Sequence, residues 1–104
     1  MDYATFVSEA VTHDRLRKEL DLAKRRCREA SLLLGKLHEE YDQVTMAIHG
    51  LPLGQKRCIL MARRDDILCE MSRAKLDWER AVGRLERVRI STLEARQRVS
   101  AAAH

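Results

Sequence analysis

The sequence predicts an all-α fold, two long helices joined by one tight turn into an antiparallel coiled-coil hairpin. Three observations predict it. Leu, Ala, Arg and Glu dominate a chain of 104 residues that has one Trp, one Phe, two Tyr, one Pro and four Gly. The dominant residues are good helix formers, whereas strand-rich folds draw on β-branched and aromatic residues and frequent turns. Apolar residues recur in alternating steps of four and three on both sides of a single Gly/Pro cluster, the heptad pattern of paired helices. That cluster, His49-Gly50-Leu51-Pro52-Leu53-Gly54, falls almost at the middle of the chain.

The first helix is expected over about 3–49. Its seam runs Leu16, Leu20, Ala23, Cys27, Ala30, Leu34, Leu37, Tyr41, Val44, Ile48, which sustains a 3.5-residue period over more than four heptads. Projected backwards the seam meets His13, Glu9 and Phe6, so the first dozen residues are expected to fray or to pack separately. The turn occupies 50–54. Gly50 can close the helix in the left-handed conformation, and Pro52 blocks its resumption. Leu51 is then placed to fold back on Met46, a contact that often accompanies such an ending.

The second helix is expected over about 55–102. Leu60, Arg64, Ile67, Met71, Ala74, Trp78, Ala81, Leu85, Val88, Thr92, Ala95, Val99 and Ala102 repeat the same steps, interrupted only by Arg64 and Thr92. Arg64 can lay its stem over Tyr41 or Val44. His13 and Thr92 can form a polar layer that fixes register. So short a link forces the helices to run antiparallel, giving one domain over 1–104. The antiparallel order sets Trp78 opposite Ala23 or Ala30, large against small, and makes it the expected packing anchor.

Charge and cysteine usage bound the function. Charged residues make up 35% of the chain, with 20 Lys and Arg against 16 Asp and Glu, a net of +4. No apolar run approaches the roughly 18 residues of a membrane span. The start, Met1-Asp2-Tyr3-Ala4, has no basic segment followed by an apolar one, so no signal peptide is expected. The terminal Ala101-Ala102-Ala103-His104 carries no functional weight. Cys58 and Cys69 stand about 16 Å apart along one helix, too far to bridge, and Cys27 is level with neither. An odd, unpaired set of three suits a reducing compartment, and a cytoplasmic location is expected.

No catalytic, cofactor or metal site is expected. A Glu three residues before a His would suit a di-metal bundle, but Ala10, Gly35 and Met46 precede His13, His38 and His49 at that spacing. His38-Glu39-Glu40 fits a solvated helix face. Cys27, set between seam alanines, behaves as a small hydrophobe. Cys58 follows Lys56 and Arg57, a setting that can lower a thiol pKa, but no base or cleft accompanies it. The chain is therefore expected not to be an enzyme.

Two surfaces remain as candidates for binding. Leu32 and Leu33 widen the first stripe, and Leu68, Cys69, Leu76, Val82, Ile90 and Leu93 lie off the seam of the second helix. Surplus apolar surface on long helices calls for another helix. Leu68, Leu76, Val82 and Ile90 are the expected partner-binding residues. A homodimer forming a four-helix bundle is the simplest occupant, and a different helical protein the next. An adaptor, scaffold or chaperone is the function that follows. The other surface is basic. Lys24, Arg25 and Arg26 lead a run that ends at Arg28, and Arg84 and Arg87 lie with Arg80 and Arg89 roughly level with it. These residues can hold phosphates, which gives a small nucleic-acid-associated regulator as the alternative. Against it, they can equally pair with Asp21, Glu29, Asp77, Glu79 and Glu86, and no aromatic residue stands among them to stack on bases.

Overall fold

The computed structural model describes residues 2–103. It contains two helices, α1 (Tyr3–His49) and α2 (Gln55–Ala103), and the five residues between them form the turn. The fold is the all-α helical hairpin that the heptad pattern predicts. Helix α1 is regular helix from Tyr3 onwards. Asp2 caps it, its Oδ1 accepting a hydrogen bond from the Thr5 amide at 2.8 Å. This is the N-cap arrangement that satisfies a free donor of the first turn. Phe6, Glu9 and His13 are half-buried, so the seam continues back to the cap.

The turn departs from expectation. Gly50 does not adopt a left-handed conformation, and among the described residues the positive-φ glycine is Gly54, whose φ of 158° is close to fully extended. The end of α1 tightens instead, with the Gly50 amide donating to the Met46 carbonyl at 3.3 Å and the Leu51 amide to the Ile48 carbonyl at 3.2 Å. A three-residue bond of this kind closes a last turn without left-handed backbone. Leu51 does not fold back on Met46, which stays 75% exposed. It shares a shallow depression with Lys56, Ile59 and Leu60 at the start of α2. Its carbonyl accepts a hydrogen bond from Arg57 Nη1 at 3.3 Å, which satisfies a turn acceptor from the next helix. The first α2 bond runs from the Cys58 amide to the Gly54 carbonyl at 3.1 Å.

The chain forms two compact units. One combines Met1–Arg28 with Arg80–His104, and the other is Glu29–Glu79. In the turn-containing unit, Leu37 and Ile48 of α1 and Ile67 and Ala74 of α2 are buried, Ile67 completely. In the other unit the buried side chains are Ala23, Val88 and Ala95. All seven are seam positions. The remaining seam residues are half-buried, with one exception, because a single pair of helices leaves the flanks of the seam open to solvent.

The exception is Trp78, which is 36% exposed and is not the buried anchor its heptad position implies. The neighbouring seam residues within its unit, Ala30 and Ala74, are small. An indole is too large for such small neighbours to cover in a single pair of helices, so part of it stays in solvent. Trp78 instead lines an open depression with Leu34, His38, Leu68 and Met71.

Candidate interaction surfaces

The off-seam apolar residues are placed where surplus surface is expected. Leu68, Leu76 and Ile90 are 42%, 52% and 54% exposed, and Leu32, Leu33, Cys69 and Leu93 are exposed as well. Val82 differs from its expected place. It is half-buried at the edge of the seam and offers less surface than its three companions.

Ion pairs tie the helices in each unit, and sequence inspection did not anticipate them. In the turn-containing unit Arg63 of α2 pairs with Glu40 of α1 and also reaches Glu70 Oε1 at 3.6 Å. The hydrogen bond that Arg63 donates to Glu40, and then the charge of that carboxylate, raise the Arg63 pKa above its ordinary value. In the other unit Arg98 Nε donates to Glu9 Oε2 at 3.1 Å. Heptad logic offers a signal for such pairs, since opposite charges flanking a seam usually meet across it.

The basic residues all fall in one unit. Lys24, Arg25, Arg26, Arg84 and Arg87 are exposed, and among the described residues none of the five forms an ion pair. Of the acids expected to neutralise the basic cluster, Glu86 pairs with Arg89 at 3.1 Å, and Asp77 is engaged, as is Arg80. Arg87 folds back over Gly83, its Nη1 3.5 Å from where a Cβ would stand. Charge is also less evenly interleaved than the whole chain suggests. Residues 1–28 and 80–104 hold thirteen Lys and Arg against seven Asp and Glu, a net of +6, whereas 29–79 hold seven against nine, a net of −2.

The same basic unit contains a groove between α1 and α2 of about 420 Å³. Leu20 and Leu93 contribute apolar surface, and His13, Arg17, Arg89 and Arg96 stand around it together with Thr92. No acidic residue lines it. The turn-containing unit has a smaller groove of about 360 Å³, where Lys75 and His38 accompany Leu34, Leu68, Met71 and Trp78.

Among the described residues no group of three or more His, Cys, Asp or Glu is arranged to hold a metal ion. Cys27, Cys58 and Cys69 are free thiols. No helix among the described residues is long and apolar enough to cross a membrane. Compared with protein-family models, with curated proteins and with solved structures, the chain matches none of them.

Proposed function

We propose that this chain is a non-enzymatic helical adaptor, scaffold or chaperone that binds a helical protein partner through the outer apolar residues of α2, with a second copy as the simplest occupant. The observation that carries this reading is the exposure of Leu68, Leu76 and Ile90 on a helix whose own seam is already occupied by α1. Exposed side chains of this size at helical spacing gain most from a partner helix that removes them from water. A cytoplasmic setting fits the three free thiols. Light scattering on the full chain tests the reading. Twice the 12.0 kDa chain mass is expected at micromolar concentration, reverting to the single mass in Leu76→Asp. A single mass that holds as concentration rises, with no helical partner recovered, overturns it.

The alternative, a nucleic-acid-associated regulator, is favoured by one observation, the five unpaired basic side chains of Lys24, Arg25, Arg26, Arg84 and Arg87. Phosphate contacts release counterions, so such binding weakens steeply with salt. Apolar docking tolerates salt far better. A binding isotherm across a salt series, with Arg25→Glu and Arg26→Glu together set against Leu76→Asp, separates the two.

A further inference from the structure

In a closed pair of helices, residues flanking the seam usually carry opposite signs and meet across it. Glu9 with Arg98 and Glu40 with Arg63 follow that rule. The groove lined by Leu20 and Leu93 breaks it. Arg17 of α1 meets Arg89 and Arg96 of α2 there, with His13 beside them and no acid among the lining residues. The pairing of Arg89 with Glu86, a neighbour on its own helix, relieves one of these charges and leaves Arg17 and Arg96 without an ion pair among the described residues. The bias is written along the helices as well. Every seventh residue of α2 from 68 to 96 reads Leu68, Lys75, Val82, Arg89, Arg96, and the α1 line reads Arg17, Lys24, Ser31, His38. Neither contains an acid.

Like charges on both walls of a groove are unfavourable within the hairpin and become favourable when an acidic group enters between them. The depression is open and shallow, and Leu93, 53% exposed, gives it an apolar surface. That combination suits a ridge of helix side chains better than a phosphate backbone, which has no use for the leucines. A second copy laid across this groove about a two-fold axis would set arginine against arginine, which disfavours it as the occupant.

We infer that this groove docks an acidic amphipathic helix of another protein, which sets apolar side chains on Leu20 and Leu93 and carboxylates against Arg17, Arg89 and Arg96. The inference goes beyond the proposed function: it assigns the hairpin a second docking site, apart from Leu68, Leu76 and Ile90, and names the chemistry of the helix that fills it. Binding here would complete a three-helix layer in which guanidinium–carboxylate pairs set orientation and exclude basic competitors.

The test titrates the full chain with a synthetic heptad peptide that has a Leu seam and Glu at its flanking positions, and with a counterpart carrying Lys there. The Glu peptide is expected to bind and the Lys peptide to fail. Arg17→Glu with Arg96→Glu should weaken the Glu peptide about tenfold or more, consistent with like-charge juxtaposition at an interface. Arg17→Gln with Arg96→Gln should weaken it less, and Leu76→Asp should leave it unchanged. Both double variants change the exposed positions Arg17 and Arg96, and their helical circular dichroism is measured alongside. Equal binding of both peptides, or full retention in the double Glu variant, overturns the inference. If Glu-peptide binding is lost in Leu76→Asp alone, the inference fails while the proposed function stands. A DNA duplex that binds through Arg17 and Arg96 when neither peptide does overturns it in favour of phosphate recognition.

Discussion

The hydroxyl of Thr92 on α2 lies 3.5 Å from the carbonyl oxygen of Leu16 on α1, while donating to the Val88 carbonyl of its own helix at 2.7 Å. A polar residue in an apolar seam thus has its donor satisfied locally, the usual accommodation of threonine within a helix. Both carbonyls belong to regular helix, so deleting the hydroxyl leaves no orphaned acceptor. Thr92→Val is therefore expected to hold or raise the urea midpoint, with a change within about 1 kcal/mol. A loss of more than about 2 kcal/mol would show that the Thr92–Leu16 contact itself holds the helices together.

Burial ranks two seam positions against each other. Ile67 is fully buried, whereas Trp78 is 36% exposed. Ile67→Ala should cost about 2–5 kcal/mol, and Trp78→Ala should cost less than that despite its larger side chain. Denaturant melts at one fixed protein concentration give the order. Iodide quenching of the indole fluorescence provides an independent check, since quenching requires the exposure seen for Trp78. A Trp78 variant that melts below the Ile67 variant would place the indole in the seam after all.

The helix start at Asp2 makes a pH-dependent prediction. Hydrogen bonding from the Thr5 side chain, and then from its amide, holds the Asp2 carboxyl below the usual aspartate range. A carboxyl depressed on folding stabilises the helix above its unfolded pKa, and that contribution is lost as pH falls through the folded value. The Thr5 amide proton shift, followed by NMR, should be constant near neutrality and move towards the unbonded position in acid. Asp2→Asn should keep the bonded shift across the whole range, because asparagine caps without titrating. Asp2→Ala should show the unbonded shift throughout. An acid-insensitive wild-type shift would mean that Asp2 is not the cap.

The fold was legible because the heptad steps decide which side of each helix is covered. From Leu16 to Ile48 every seam position of α1 is buried or half-buried, and on α2 only Trp78 is not. Trp78 escaped because heptad position specifies a direction and carries no information about the space available. Gly50 escaped for a related reason: a glycine permits left-handed backbone without requiring it, and the bond from the Leu51 amide to the Ile48 carbonyl closed the turn another way. The Asp2 cap did leave a signal, an aspartate just before the helical pattern begins. The groove around Leu20 and Leu93 was missed because its arginines come from both halves of the chain and meet only once the register is set. The exposed places of Leu68, Leu76 and Ile90 followed from their lying off the seam.

The distance along the chain between partners differs sharply within this single hairpin. Glu40 and Arg63 are 23 residues apart, whereas Leu16 and Thr92 are separated by 76 and Glu9 and Arg98 by 89. Closing a loop costs entropy that grows with its length, so contacts beside the turn form from a far less restrictive search than those at the termini. Once the residues near the turn have paired, each further layer is closed from the layer before it and no longer from the open chain. Folding is accordingly expected to advance from the turn towards the termini, with Ile67 in the region that orders first, Arg17, Arg89 and Arg96 brought together later, and Glu9 and Arg98 after them. The groove that the three arginines form would then come apart in native-state fluctuations well before the layer around Ile67, and a helix bound there would slow that opening.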